Sequence, residues 1–242
     1  MKKTTLLAIT TLLLSNNVNA QVLLNDNFDN YTLGNLGTDP TGVIPGQGGW
    51  LTKLYNITTP NNSVFTITNE PSKGKALTIT TPKDDAIYLS KDLSIFIDQL
   101  TSGNNVIKFE IDYYTGPQYY MHSGSGPNTS ISLLSNHQYP LFSYAHNLQY
   151  PVDNIHAAFN DGLSLNRTVR LGNGAFYGLD QLPINTWITF IVYLDYTNKK
   201  IYFETPYFNK VAVGDFLNLS TSTNLIEDYK PTAIHIYSDH QS

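Results

Sequence analysis

Hydrophobic and polar residues alternate along most of this chain, most cleanly from Trp187 to Thr205. Successive side chains of a strand point to opposite faces. Ile188, Phe190, Val192, Leu194 and Tyr196 therefore share one face, and Trp187, Thr189, Ile191, Tyr193 and Asp195 the other. Thr197-Asn-Lys-Lys200 breaks the pattern and Ile201-Tyr-Phe-Glu-Thr205 resumes it. A turn centred on Asn198 and Lys199 predicts a hairpin that pairs Tyr196 with Ile201 and Leu194 with Phe203, all on the apolar face. In that register Asp195 stands opposite Tyr202, and Tyr193 opposite Glu204.

The same period of two recurs elsewhere. It predicts strands over residues 22–28, 63–68, 76–81, 86–89, 105–114, 129–134, 141–145, 155–159, 167–171, 211–216 and 232–237. Within 105–114, Ile107, Phe109, Ile111 and Tyr113 share one face, and Lys108, Glu110, Asp112 and Tyr114 the other. Residues 93–100 are compatible with a helical turn. No segment sustains a 3.6-residue apolar period. Many short strands separated by Gly, Pro and Asn turns predict one all-β antiparallel sandwich or barrel.

The N-terminus departs from this pattern. Met1-Lys2-Lys3 is basic, residues 6–14 are mostly apolar and uncharged, and Val18-Asn-Ala20 offers the small residues a signal peptidase reads. This predicts a secretory signal peptide over residues 1–20, cleaved before Gln21, and a single domain over 21–242. The apolar run is much shorter than the roughly 20 residues of a membrane span. Composition agrees with the strand pattern. Of the 242 residues 17 are Tyr and 11 are Phe, and charged residues are only 14%. With no cysteine, an exported chain must rely on packing rather than disulfides. The net charge of −5 and the lack of a basic stripe argue against nucleic acid and anionic membranes as partners.

Three features together suggest a family. They are Asn27-Phe-Asp-Asn-Tyr31, a Gly- and Pro-rich loop closing on Gly46-Gln-Gly-Gly-Trp50, and Thr186-Trp187 leading a long hairpin into Ile201-Tyr-Phe-Glu204. Over about residues 22–237 the chain resembles the concanavalin A-like lectin/glucanase superfamily, in particular the lectin-like domains of exported Gram-negative bacterial proteins. The resemblance implies a jelly-roll of two antiparallel sheets, a polysaccharide or glycan partner, an extracellular or cell-surface location and, in many members, structural calcium. It also implies a catalytic test. Glucanases of this superfamily carry Glu-x-Asp-x-x-Glu on one strand, and retaining chemistry needs two carboxyl groups about 5 Å apart. Glu110 and Asp112 match the first two positions, but the third is Thr115, which cannot protonate a leaving group. Glu110 and Asp112 then read as a polar sheet face, solvated or paired with Lys108.

The remaining candidates are binding residues. Tyr193, Asp195, Tyr202 and Glu204 put two rings and two carboxylates on one hairpin face, chemistry suited to stacking on sugars and accepting hydroxyl bonds. An ordinary exposed face with cross-strand pairs fits the same pattern. Tyr119 and Tyr120, with Tyr139 and Tyr144, are candidate loop anchors. Asp26, Asp29 and Asp39 are candidate oxygen ligands for calcium. The six histidines have no zinc-motif spacing, and the Gly-rich loop lacks the Lys-Ser/Thr of a phosphate loop. Three functions follow: a non-catalytic secreted carbohydrate-binding domain, a glycoside hydrolase of the same fold, and a structural or adhesive surface module.

Overall fold

A computed structural model describes residues 21–55, 62–82, 85–117, 128–147, 154–171 and 183–240. The signal segment, Tyr119 and Tyr120 lie outside them. The described residues form fourteen strands: β1 (Gly34–Asn35), β2 (Trp50–Leu54), β3 (Phe65–Glu70), β4 (Gly74–Ile79), β5 (Asp85–Asp92), β6 (Val106–Tyr114), β7 (Asn128–Ser135), β8 (Pro140–Asn147), β9 (Asn154–Asn160), β10 (Leu165–Arg170), β11 (Trp187–Asp195), β12 (Lys200–Thr205), β13 (Lys210–Asp215) and β14 (Pro231–His240). Two single-turn α-helices, α1 (Ser94–Ile97) and α2 (Leu225–Asp228), and three short 3-10 turns complete them.

Every strand pair is antiparallel. One layer is a seven-stranded sheet ordered β10-β9-β8-β7-β14-β5-β2. The other consists of a four-stranded sheet, β13-β12-β11-β6, and a three-stranded one, β1-β3-β4. The sandwich expected from the alternation is therefore present, with its second layer divided. The larger core lies between β7–β9 and β11–β12, where Phe142, Tyr144 and Phe159 meet Phe190 and Phe203. The Tyr144 ring stacks on Phe190 at 4.6 Å between centroids. A second core joins Leu36, Phe65 and Ile67 to Ile87, Leu89, Ile131 and Ile236. Phe109, Ile111 and Tyr113 of β6 touch both cores. Tyr144 is thus a core residue, buried on a strand, and not a loop anchor; Tyr139 is exposed.

Three sequence expectations are corrected. The hairpin of β11 and β12 forms, but two residues out of the expected register: Asp195 pairs with Lys200, Leu194 with Ile201, Tyr193 with Tyr202 and Val192 with Phe203. A two-residue type I′ turn needs positive φ at both central residues, and in this connection only Lys199 has it, at 52°. The carboxylate of Asp195 instead accepts bonds from the Asn198 backbone N–H at 2.9 Å and its side-chain amide at 2.8 Å. That stabilises a four-residue connection. A slip of two preserves face parity, so the apolar face survives. Second, residues 22–28 form no strand; they are held by side chains. Third, a strand that the alternation did not assign, β2, starts at Trp50, where the loop closes.

The Gly-rich loop is packed by its own residues. Gly48 has φ +62°, and a Cβ there would fall 1.4 Å from the Tyr31 hydroxyl. The Tyr31 hydroxyl in turn donates to Asp26 at 2.8 Å, as does the Trp50 indole N–H at 3.0 Å. Lys91 completes the cluster, with Nζ 2.5 Å from the same Asp26 oxygen.

Candidate functional site

The outward face of the four-stranded sheet gathers five of the residues singled out in the sequence, Glu110, Asp112, Tyr193, Tyr202 and Glu204. Because Phe190, Val192, Phe203 and Ile201 face the core, Thr189, Ile191, Tyr193, Tyr202 and Glu204 face outward. The β6 partners of Ile191 and Thr189 are Glu110 and Asp112. Both carboxylate groups proposed from the sequence therefore share one surface. Each is already engaged. Glu110 is ion-paired with Lys108. Asp112 lies 2.7 Å from Lys73 Nζ and accepts from the Thr189 hydroxyl at 2.6 Å. Glu204 accepts from the Tyr193 hydroxyl at 3.1 Å.

The protonation states follow these contacts. Partial burial pushes the Asp112 carboxyl up, but bonds from Lys73 and Thr189 and the Lys73 charge outweigh it and hold it below the usual range. That is the wrong direction for a general acid. The Glu110 carboxylate holds Lys108 more firmly protonated than a free lysine. Thr115, at the third position of the glucanase pattern, is buried, and its hydroxyl donates to the Pro183 carbonyl at 2.6 Å while accepting the Thr186 N–H at 3.0 Å. It anchors the entry to β11. Asp195, the last residue of β11, is buried and its carboxylate is taken up by Asn198 of the turn, so it does not join Tyr193, Tyr202 and Glu204. Trp187 packs on Tyr114, ring centroids 5.4 Å apart, under the Lys73 ammonium.

The three aspartates proposed for calcium are spent on separate tasks. Asp26 serves the Tyr31–Trp50–Lys91 cluster. Asp29 accepts from the Lys75 N–H at 3.1 Å and the Asn27 amide at 2.9 Å. Asp39 accepts from the backbone N–H groups of Thr41, Val43 and Ile44 and from the Thr41 hydroxyl, and these bonds hold its carboxyl well below the ordinary range. Among the described residues no group of three acidic, histidine or cysteine side chains could hold a metal. Lys91 already supplies the cation that Asp26 requires. A chelator is therefore expected to leave the melting temperature unchanged, measured with and without EDTA; a fall of several degrees would assign calcium a structural role.

The outward face of the seven-stranded sheet presents a different arrangement, one not singled out in the sequence. With Ile87, Leu89, Ile131, Leu133 and Ile236 in the cores, parity turns Tyr88, His235 and Tyr237 outward. Tyr88 pairs directly with Tyr237 across β5 and β14. His235 sits edge-on to Tyr88, 4.6 Å between centroids, hydrogen-bonded to its hydroxyl. Tyr55, about half exposed, extends the row beyond Tyr88 at 6.5 Å, and the Lys53 ammonium lies 4.8 Å over its ring. Beside this terrace the floor is low. Tyr237 pairs with Ser130, His235 with Ser132, and beyond them come Ala145, Ser143 and Ala158. Ser132 and Ser143 hydroxyls bond at 2.9 Å. Burial pushes the His235 imidazole down to about 4, so it is neutral at pH 7, and burial followed by Tyr55 pushes Tyr88 up to about 12. The terrace is thus aromatic and flanked by two charged groups, the Lys53 ammonium over Tyr55 and Asp239, whose carboxylate accepts from the Tyr237 hydroxyl at 3.3 Å. Alternation alone places Tyr88, His235 and Tyr237 off the apolar face; only the pairing of strands nearly 150 residues apart brings them together.

No family model matches the chain, and no curated protein matches it. Solved structures with some similarity to this chain include a galectin, a legume lectin-like domain and a CBM2 module. A toad ovary galectin, solved with N-acetylgalactose, shares 10% identity over 57% of this chain and 92% of its own, with TM-score 0.33. A legume lectin-like domain from Entamoeba histolytica shares 7% over 79% and 81%, with TM-score 0.39. The CBM2 module of the evolved Dit of Lactobacillus casei BL23 phage J-1 shares 11% over 87% and 82%, with TM-score 0.42. These are low-scoring likenesses, and the functional reading rests on this chain's own surfaces. No helix among the described residues is long and apolar enough to cross a membrane.

Proposed function

We propose that this chain is a secreted, non-catalytic carbohydrate-binding domain that takes a glycan on the outward face of its seven-stranded sheet. One observation carries the reading: the row Tyr55, Tyr88, His235 and Tyr237 stands over a floor of serine and alanine side chains. Sugar rings offer C–H faces that pack on aromatic rings, and a low floor of hydroxyls leaves room for a ring to settle and to exchange hydrogen bonds. The opposite face has Tyr114, Tyr193, Tyr202 and Trp187 as well, but its carboxylates are matched by Lys73, Lys108, Thr189 and Tyr193. A ligand there must break those pairs before making its own. Secretion is supported by the basic, apolar and small-residue succession over residues 1–20. The non-catalytic reading is supported by the engaged state of Glu110 and Asp112 and by Thr115.

A glycan array followed by titration calorimetry tests this. The expected result is binding that falls about tenfold or more, at least ~1.4 kcal/mol, in Tyr88→Ala and in Tyr237→Ala, and that persists in Tyr202→Ala. Loss in Tyr202→Ala alone would move the site to the four-stranded face. Binding to no glycan by a folded protein would overturn the reading in favour of a structural or adhesive module. Hydrolysis of a bound glycan that is abolished by Glu110→Gln would make the chain an enzyme.

A further inference from the structure

Cleavage before Gln21, the event expected from residues 1–20, makes Gln21 the first residue of the exported chain. A glutamine in first position carries a chemical liability. Its α-amine can attack the side-chain carbonyl carbon, Cδ. The Nα–Cδ bond forms, the Cδ–Nε2 bond breaks, and Nε2 takes a proton from the α-amine and leaves as ammonia. The product, pyroglutamate, is a lactam with neither a side-chain amide nor a basic amine. The reaction needs a side chain free to curl back on its own amine.

In this fold that side chain is taken. Gln21 Nε2 donates to the Gln99 carbonyl at 2.7 Å. Gln21 Oε1 accepts from the Thr101 backbone N–H at 3.0 Å and from the Thr101 hydroxyl at 3.0 Å. Both ends of the amide are engaged by one loop nearly 80 residues away in sequence. Each half of this clamp is fixed from behind. Leu23 and Leu24 pack against the larger core and so position Gln21 just before them. Gln99 and Thr101 follow α1, whose Phe96 and Ile97 pack on the same core. The Gln99 side-chain amide donates to the Ile95 carbonyl at 2.9 Å, and the Thr101 carbonyl accepts the Asn104 N–H at 3.1 Å. Little conformational freedom remains to be lost when the amide docks.

We propose that this clamp protects the mature N-terminus, so that the exported chain keeps an open glutamine and a free α-amine at Gln21. The proposal rests on the secretion proposed above, with cleavage before Gln21. Attack would turn the planar Cδ tetrahedral. That swings Nε2 and Oε1 out of the plane in which they meet Gln99 and Thr101. Departure of ammonia then leaves the Gln99 carbonyl without its donor. Cyclisation therefore proceeds from the fraction of molecules in which the clamp has opened, and its slowing reads how firmly the clamp is held. All three bonds use the side chain alone, so the clamp does not require the leader to be present or absent.

The test uses residues 21–242, released from a fusion by a protease that cuts directly before Gln21. Loss of ammonia is followed by mass spectrometry at neutral pH. In the folded protein it is expected to be at least about tenfold slower than in a peptide of residues 21–31, a ratio equivalent to about 1.4 kcal/mol. Urea that unfolds the protein is expected to restore the peptide's rate. Thr101→Val, which removes one of the two donors to Oε1, is expected to fall between them with unchanged circular dichroism. A folded protein that cyclises as fast as the peptide, or faster, would overturn the proposal, as would a Thr101→Val protein no faster than the natural one. N-terminal sequencing of the exported protein checks the cleavage separately. A first residue other than Gln21 would overturn the claim for the mature chain through the leader, whatever the rates show of the clamp.

Discussion

Asp26→Ala is expected to destabilise the fold by about 3–5 kcal/mol, the cost of leaving one member of a buried ion pair alone. The side chains of Asp26 and Lys91 are 12% and 6% exposed and meet at 2.5 Å. Without the carboxylate, Lys91 is a nearly buried ammonium facing the Trp50 ring, and the Tyr31 hydroxyl and Trp50 indole N–H lose their shared acceptor. Three consequences therefore fall on one substitution. Asp26→Asn separates them, since its side-chain oxygen still accepts from Tyr31 or Trp50 while the charge on Lys91 goes unmatched. It is expected to cost less than alanine but more than 1 kcal/mol. Chemical denaturation of both variants is the measurement. Losses under about 0.5 kcal/mol for both, the range of ordinary surface changes, would show that the cluster does not hold residues 21–31 to the sandwich.

Phe203→Ala is the second large effect, again about 3–5 kcal/mol. Its ring is fully buried and lies within 5.7–6.3 Å, centroid to centroid, of Tyr144, Phe142 and Phe159. Those rings come from the opposite sheet, so the cavity opens between the layers, where neither can collapse inward without breaking its own ladder. A chain of this size loses about 2–4 °C of melting temperature per kcal/mol, which makes a drop of about 10 °C the expected reading. The adjacent Tyr202→Ala, on the outward face, is expected to move stability by no more than about 0.5 kcal/mol. A reversal of that order would mean that the hairpin presents its other face to the core.

That contrast depends on parity, which is the part of the fold the residue pattern carries most directly. The apolar faces of β6, β11 and β12 could be read from alternation, because a buried face leaves its mark at every second position. The register between β11 and β12 could not, because it turns on a local event: the Asp195 carboxylate capping Asn198 costs nothing in the apolar pattern and shifts the pairing by two. Residues 22–28 looked like a strand for a similar reason. Their apolar side chains pack on the sandwich, but Asp26 and not a neighbouring strand holds them. The candidate surfaces show the same division. Glu110, Asp112, Tyr193 and Glu204 could each be placed on a polar face, yet Lys73 and Thr189, which neutralise Asp112, come from elements far away in sequence. The Tyr88–Tyr237 pair was beyond reach altogether, since alternation assigns a residue to a face and is silent on which strands are neighbours.

The position of β14 bears on how the chain reaches this structure at all. It lies between β5 and β7, pairing Tyr237 with Tyr88 on one side and with Ser130 on the other. The seven-stranded sheet is thus two separate blocks, β2 with β5 and β7 to β10, until residues 231–240 arrive to join them. Each block emerges from the ribosome with an edge that awaits β14. Closing it requires a contact that spans about 150 residues, the kind of long-range pairing that makes folding slow. During synthesis the sheet remains in two blocks and joins only when residues 231–240 are delivered. The same interval exposes two edges of matching geometry, so assembly is expected to be most vulnerable to aggregation just before completion.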